Sequence, residues 1–496
     1  MVFVLLSSLL LFLTFPKIDL WPLAWIGLIP LLRVLDGKNS KKAFNYGYLC
    51  GFVFFLGAFF WLRHVTILGT VLLALYSAVY FGLFAAGYSY FQDRRLLTRI
   101  SLIPSVWVVL EFTRGHLFSG FGWASLGESQ YKFLPIIQVA DVTGMYGVSF
   151  LIVMVNVLLE EIIFKKNARK EIFGAIACVD ILLVLALGYG FFRLSEIPQE
   201  TSHMSIALIQ ANVPQEIKWV ESYWPTVIKD HETITQLAAE ELPDLIIWPE
   251  TSFPGFMGEP AHAELLKGVQ DFVKTVHIPL LVGSVVKDGP EYFNSAVLLS
   301  HHGEILERYD KIHLVPFGEF IPFRSTFPFL EFVAPIADFS VGNKYTVFSL
   351  GEPSSDPRGP KRFSVIICFE DTIAHLTRQF VKNGAQLLIN ITNDAWFKDS
   401  SEPFMHLQSC VFRAVENRRD MVRAANTGIS CFIDRFGHVK KYVEDKNGKK
   451  TFVINYAVDT MGFYNDQTFY TKFGDVFTYV CFGCILGAIY IKRRHP

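Results

Sequence analysis

The sequence lacks several features that would assign it quickly to a common class of protein. Its formal net charge is −1, so no basic excess suggests nucleic acid as a partner. It contains neither a G-x-G-x-x-G motif nor a Walker loop, which leaves nucleotide binding without support. Its seven cysteines indicate neither a disulfide framework nor the Cys/His spacing of a zinc site. We therefore expect no bound metal.

Apolar residues are abundant but unevenly distributed. The 496-residue chain is 51% hydrophobic and includes 47 phenylalanines. Residues 1–194 and 475–491 are nearly continuous apolar runs, whereas 200–470 has the composition of a globular domain. This shift predicts a transmembrane domain over 1–194, a soluble domain of about 270 residues over 195–474, and a final transmembrane helix with a basic tail over 475–496.

Eight apolar segments are present, and several approach the length of about 20 residues that a membrane-spanning helix needs. They are 2–16, 19–35, 45–63, 66–91, 98–113, 143–164, 171–193 and 475–491. The first has no basic start and no small-residue cleavage site, so it is interpreted as a retained helix rather than a signal peptide. An even number of spans puts both termini on the same side of the membrane.

Lysine and arginine cluster in alternate loops of this segment. The basic loops lie around 38–42, 94–99 and 165–170, and the tail 492–494 falls on the same side. The opposite loops carry only scattered basic residues. The positive-inside rule therefore places both termini in the cytoplasm and residues 195–474 outside it.

Ionisable residues are sparse within the apolar segments. Asp180 is isolated, and Glu111 and Arg114 lie near a helix end. A transporter or proton pump usually carries more such residues at mid-depth. The outer loop 114–142 is long, Gly-rich and aromatic, which suggests a role in a lipid-facing opening.

From residue 204 onward, short apolar strands alternate with amphipathic helices. This alternation predicts a layered α/β domain. The predicted strands are 204–210, 245–248, 280–286, 296–300, 363–368, 387–392 and 429–433. The predicted helices are 225–241, 261–276, 371–383 and 404–421.

Three of the strand ends carry reactive side chains. The strand before Cys368 ends in Phe-Glu-Asp, and Glu370 is expected on the same side of an extended backbone. Glu250 follows Trp-Pro directly after another strand, and Lys311 precedes Glu319 in a third stretch. A thiol needs a base to become a nucleophile, so Glu250 is a candidate base. Lys311 is a candidate for stabilising the thiolate and an oxyanion.

These motifs, WPE, DKIHLVPFGE, CFE and NDAWF, resemble those of the nitrilase superfamily, and most closely its membrane-bound branch, the apolipoprotein N-acyltransferases. The resemblance implies an αββα sandwich with Glu250, Lys311 and Cys368 as the catalytic triad. It further implies a supporting set around the active site. That set comprises Glu319, Glu370, Trp219, Asn294, Asn393, Asp394 and Trp396.

The same resemblance implies an enzyme of the bacterial cytoplasmic membrane whose catalytic domain faces the periplasm. It would move an acyl chain from a phospholipid, through a cysteine thioester, to the α-amine of a diacylglyceryl-cysteine lipoprotein, without a cofactor. The alternatives are a membrane-tethered amidase and a transporter or sensor with a ligand-binding domain. The chain departs from the family pattern at Phe369, where Tyr is common, and at Lys398, where Gly is usual.

The stretch 315–339 contains seven phenylalanines and four prolines. Prolines at this spacing exclude a regular helix. Such an aromatic loop either contacts the membrane or a lipid chain, or packs into the core between the two domains.

Overall fold

The computed structural model describes residues 1–165, 169–322, 324, 338–351 and 360–494. The chain divides into two compact units. The first, here called the helical unit, comprises Met1–Ile197, Ser400–Glu416 and Thr468–Pro496. The second, here called the sheet unit, comprises Pro198–Asp399 and Asn417–Gln467.

The helical unit contains a helix in each of the eight apolar segments. Its α-helices are Val2–Phe12, Ala24–Gly27, Ile29–Leu35, Ser40–Ala58, Ile67–Phe91, Leu96–His116, Leu134–Ile137, Ala140–Thr143, Met145–Phe164, Arg169–Ser195, Glu402–Asn417 (whose last residue lies in the sheet unit), Phe469–Phe473 and Val476–Arg494. Among the described residues, five are long and apolar enough to cross a membrane: Ile67–Phe91, Leu96–His116, Met145–Phe164, Lys170–Ser195 and Val476–Arg494. The predicted total of eight spans stays a prediction.

Two small residues allow one pair of these helices to pack closely. A side chain at Gly47 would collide with Ala85 and with the main-chain oxygen of Phe81. A side chain at Gly51 would collide with the ring and Cβ of Phe81. A small-xxx-small spacing of this kind permits close backbone approach between membrane helices, where dispersion contacts replace the hydrophobic effect.

Buried polar side chains make several hydrogen bonds in the segment 114–142. The Arg114 guanidinium donates to the main-chain oxygens of Phe121 and Trp123, 2.8 and 2.6 Å away. The Ser409 hydroxyl donates to Glu128 at 3.0 Å. Ser409 lies on Glu402–Asn417, so this helix, which was predicted within the soluble domain, belongs largely to the helical unit.

The described residues of the sheet unit form thirteen strands. They are β1 Ser202–Gln210, β2 Leu245–Ile247, β3 Phe253–Met257, β4 Leu280–Asp288, β5 Glu291–Leu299, β6 Ile305–Asp310, β7 Phe348–Leu350, β8 Lys361–Ile367, β9 Leu387–Thr392, β10 Met421–Ala425, β11 Cys431–Ile433, β12 Val439–Tyr442 and β13 Asn455–Phe463. One sheet has the order β13-β1-β2-β4-β5-β6, with β3 paired to β4. The other has the order β12-β11-β10-β9-β8-β7.

The two sheets have a similar arrangement of strands. Three central strands are parallel, β1-β2-β4 in one sheet and β8-β9-β10 in the other, and antiparallel strands flank them. Hydrogen bonds join the two sheets: the Ser430 hydroxyl donates to the Gln210 side chain at 2.6 Å, and the Asn212 N–H donates to the Asn426 oxygen at 3.1 Å.

Helices cover the sheets on the outside. Trp224–Ala239 and Ala263–Val276 share one buried core with alternate residues of β1, β2, β4 and β5. Ala374–Lys382 packs beside β8. Since successive strand residues point to opposite faces, the remaining apolar residues of the first sheet face the second one. The sheet unit is therefore a layered α/β domain, as predicted.

Candidate active site

The side chains predicted to react follow strands whose carboxyl ends meet at one edge of the sheet unit. Glu250 follows β2, Cys368 follows β8 and Asn393 follows β9. Lys311 follows β6 directly, and its N–H donates to the main-chain oxygen of Asn294 on β5 at 2.8 Å. Carboxyl ends of parallel strands are the usual position of sites in α/β proteins, because loops converge there.

Glu250 is buried and held at both carboxylate oxygens. The Asn294 amide donates to Oε1 at 2.8 Å, and the Asn393 N–H donates to Oε2 at 2.8 Å. Lys311 Nζ lies 3.9 Å from Oε1. Burial raises the pKa of Glu250, and Lys311 opposes that rise. This carboxylate is fixed in direction and is more basic than an exposed one, as a proton acceptor requires.

Lys311 is 1% exposed and contacts two carboxylates. Its Nζ lies 2.9 Å from Glu319, which also accepts from the Asn294 amide at 2.7 Å and the Val315 N–H at 2.8 Å. Burial alone lowers the pKa of Lys311, but the charges of Glu319, Cys368 and Glu250 raise it above the ordinary value. Lys311 therefore remains a cation and lies within electrostatic range of the thiol.

Cys368 begins a turn rather than continuing the strand. Its φ is +52°, a left-handed conformation that costs a non-glycine residue about 1–2 kcal/mol. The Asn390 amide donates to its main-chain oxygen at 3.2 Å. The Cys368 side chain is partly exposed, whereas Cys410 and Cys431 are buried. A strained, accessible thiol at a strand end is typical of functional positions.

The predicted orientation of Glu370 was wrong. The backbone is not extended after Cys368, because Cys368–Thr372 forms a 3-10 turn that directs Glu370 inward. Its carboxylate accepts hydrogen bonds from the Tyr309 hydroxyl at 2.8 Å and from the N–H groups of Ile312, His313 and Ile367 at 2.8, 2.9 and 2.7 Å. Burial raises its pKa to about 7 against these donors. Glu370 thus joins the Cys368 turn to the segment that carries Lys311.

The four remaining predicted residues take different positions. Asn393 lies in the site, where its side chain also accepts from the Asn426 amide at 2.9 Å. The Asp394 carboxylate is fully buried, and its Oδ2 lies 3.0 Å from Arg423 rather than beside Lys311. The rings of Trp219 and Trp396 are 40% and 52% exposed, so neither packs in the buried group around Glu250.

The structure describes both residues at which the sequence departs from the family pattern. Lys398 has φ +52°, a left-handed conformation that glycine adopts without strain. Phe369 is buried, with its ring centroid 5.8 Å from that of His313. In the aromatic stretch, residues 323 and 325–337 lie outside the described residues. Phe317 is exposed, and Phe320 is partly buried.

Sequence reasoning missed two buried cations. Lys218 Nζ donates to the main-chain oxygen of Glu250 at 3.1 Å. Arg423 lies in the apolar strand β10 and pairs with Asp371 and Asp394, both at 3.0 Å. A charged residue inside an apolar strand was a signal for Arg423, but no comparable pattern marks Lys218.

Comparison with known proteins gives matches along nearly the whole chain. A family model described as apolipoprotein N-acyltransferase N-terminal domain matches residues 7–158, and one described as carbon-nitrogen hydrolase matches residues 205–462. A protein named apolipoprotein N-acyltransferase from Geobacter metallireducens is 39% identical, covering 99% of this chain and 95% of its own length.

Two further similarities complete the comparison. A protein of the same name from Chlorobaculum tepidum is 30% identical, covering 97% of this chain and 94% of its own. The crystal structure of an amidase from Nesterenkonia sp. is similar with a TM-score of 0.39 at 18% identity, covering 58% of this chain and 99% of that one.

Proposed function

We propose that this chain, which belongs to the apolipoprotein N-acyltransferase family, transfers a fatty acyl group from a membrane phospholipid to the α-amine of a diacylglyceryl-cysteine lipoprotein. Membership follows from relatives of that name at 39% and 30% identity over nearly the full chain. The chain is accordingly an acyltransferase with the fold of a carbon-nitrogen hydrolase. The phospholipid donor and the triad belong to the proposal.

The proposal rests on one observation. Glu250, Lys311 and Glu319 form a buried group at the edge of the sheet unit where the strand before Cys368 also ends. Lys311 Nζ is 3.9 Å from Glu250 and 2.9 Å from Glu319, and the charge of Cys368 acts on it. A fixed base, a permanent cation and an accessible thiol are the groups that acyl transfer through a thioester requires.

In the first step, Glu250 removes the thiol proton of Cys368, and the sulfur attacks the ester carbonyl carbon of the phospholipid. Lys311 stabilises the oxyanion of the tetrahedral intermediate. The carbon–oxygen bond of the ester then breaks, and Glu250 returns the proton to the departing alkoxide. The products are a Cys368 thioester and a lysophospholipid.

In the second step, the α-amine of the lipoprotein attacks the thioester carbonyl carbon. Glu250 accepts a proton from the attacking nitrogen, and Lys311 again stabilises the oxyanion. The carbon–sulfur bond breaks, giving an amide and returning the thiolate, which recovers the proton from Glu250. Glu319 and Asn294, which contact Lys311 and Glu250, hold both groups in place through the two steps.

The proposal includes a location. Eight spans within 1–194 and 475–496, with both termini in the cytoplasm, put 195–474 on the periplasmic side of the bacterial cytoplasmic membrane. The Lys/Arg bias of the loops supports this arrangement. Both substrates are membrane-anchored, so each reaches the enzyme by lateral diffusion.

The test is mass spectrometry of the full-length protein after incubation with phospholipid alone. Because the first half-reaction needs no acceptor, the peptide containing Cys368 should gain one fatty-acyl mass that hydroxylamine releases. Adding a diacylglyceryl peptide should discharge the adduct and yield an amide on that peptide.

Matched cysteine variants control this experiment. Cys368→Ala should form no adduct, while Cys410→Ala and Cys431→Ala, at buried positions, should acylate as the wild type does. Discharge to free fatty acid with the peptide present would indicate an amidase-like hydrolase. Transfer without any adduct on Cys368 would reject the nucleophile.

A further inference from the structure

Lys218 is a buried lysine that the mechanism above does not use. It is 2% exposed and lies at the end of the short helix Gln215–Lys218, in the sheet unit. Its Nζ donates to the main-chain oxygen of Glu250 at 3.1 Å, its single hydrogen bond among the residues that the structure describes. Burying an ammonium group with one partner is costly, so its retention needs a reason.

The backbone around Glu250 is constrained from more than one direction. A side chain at Gly283 on β4 would collide with the Pro249 oxygen, Glu250 Cα and Thr251 nitrogen. Thr251 has φ +48°. Lys218 holds the oxygen of this same strained turn, and its neighbour across a small cavity is His231, whose Nε2 has no hydrogen-bond partner in the described part of the chain.

We propose that Lys218 is a positioning residue for Glu250: its ammonium fixes the Glu250 main chain and, by its charge, favours the ionised carboxylate. This inference rests on Glu250 being the base of the proposed reaction. The ionisable groups acting on Glu250 are Lys311, Glu319 and Lys218. Burial lowers the pKa of Lys218 to about 7, and the charge of Glu250 opposes that fall, so Lys218 is charged on the acidic side of the rate profile. Burial and the charge of Lys218 in turn lower the pKa of the nearby His231.

The geometry has a chemical consequence. The Asn294 amide and the Asn393 N–H fix the orientation of the Glu250 carboxylate. A small movement of the Glu250 backbone would therefore misalign the carboxylate with the Cys368 thiol. A displacement of about 1 Å costs on the order of 100-fold in rate. Lys218 opposes that displacement without touching the substrate.

The test uses the full-length protein and the rate of Cys368 acylation by phospholipid as a function of pH. Lys218→Met should slow acylation by about 10- to 100-fold. Because the lysine charge favours ionised Glu250, its loss should move the acidic midpoint of the rate profile upward by roughly half a unit to one unit. The apparent KM for phospholipid should not change.

Stability separates this role from a structural one. Methionine fills a similar volume without a buried charge, so the Tm of Lys218→Met should equal or exceed that of the wild type. Lys218→Arg should recover the pH midpoint and part of the rate. Lys229→Met, which removes an exposed lysine on the following helix, should change neither.

Three results would overturn the inference. The first is normal acylation in Lys218→Met, and the second is slower acylation with an unchanged pH midpoint. The third is a lower Tm in Lys218→Met, with an unchanged pH midpoint, when Lys218→Arg restores both the Tm and the rate. A wild-type protein that forms no Cys368 adduct would instead reject the proposed function.

Discussion

At the scale of single residues, the candidate site also depends on side chains outside the proposed triad. Glu370 is the clearest case, since one carboxylate accepts hydrogen bonds from Tyr309 and three main-chain N–H groups. These bonds connect the turn after Cys368 with the chain on either side of Lys311. Glu370 therefore links the position of Cys368 to that of Lys311.

Replacing this carboxylate by an amide should weaken the connection. Glu370→Gln keeps the size of the side chain. Its NH₂ group cannot accept a hydrogen bond, however, so at least one main-chain N–H loses its acceptor. We expect a loss of about 1–3 kcal/mol in unfolding free energy, measured as a lower Tm, and a slower acylation of Cys368.

Glu304→Gln is the matched control for this change, because Glu304 is exposed on the turn before β6. It should alter neither Tm nor acylation. A Glu370→Gln protein with the stability and rate of the wild type would show that Glu370 does not connect the two segments.

At the scale of elements, sequence patterns predicted strand ends better than strand partners. The strands before Glu250, Cys368 and Asn393 were predicted because continuous apolar runs end there in polar residues. Strands β6 and β13, at the two edges of the first sheet, were among those not predicted, because polar residues interrupt their apolar residues without a regular alternation. The position of Lys218 was not predictable, because it depends on tertiary contacts with Glu250.

The same limit applies to helix ends. The helix predicted over 404–421 ends at Asn417, because β10 begins at Met421 and pairs with β9 from its first residue. The polar residues 416–420 at this boundary include neither glycine nor proline, so no strong break in the pattern marks where the helix ends. Long-range pairing decides where this helix stops.

Close packing of Ser40–Ala58 against Ile67–Phe91 gives a prediction for the helical unit. Gly47→Ala places a methyl group against Ala85 and the Phe81 main chain. Overpacking of this kind costs about 1–3 kcal/mol. The Tm in detergent should fall accordingly.

Gly188 is the control because it is also helical, in Arg169–Ser195, but an added Cβ there meets nothing within 4 Å. Gly188→Ala should leave Tm unchanged or raise it, since alanine is the better helix former. Equal effects of the two substitutions would mean that helix propensity, rather than packing, governs the response.

At the scale of the whole molecule, orientation in the membrane can be tested without structural detail. The turn between β5 and β6, near residue 302, lies in the sheet unit, and Val476–Arg494 ends in Lys492, Arg493 and Arg494. A reporter enzyme active only outside the cytoplasm should work when fused near 302 and fail when fused at the C-terminus, because the basic tail stays inside.

A cytoplasm-active reporter at the same two positions is the complementary control and should give the reverse result. Activity of the export-dependent reporter at the C-terminus, combined with inactivity near 302, would reject the proposed location of Cys368. Even then, the acyl-enzyme experiment would still test the chemistry independently.

The pairing of β1 with β13 has a consequence for biosynthesis. Ser202 pairs with Phe463 and Gln210 with Asn455. The first strand of the sheet unit therefore cannot complete its pairing until the last strand has been translated. Contacts between such distant residues form slowly, because a long loop must close before they stabilise anything. The unit therefore completes its first sheet only when the ribosome has almost reached Val476–Arg494. Until then one side of β1 is an unpaired edge, and a chain with such an edge is prone to aggregation.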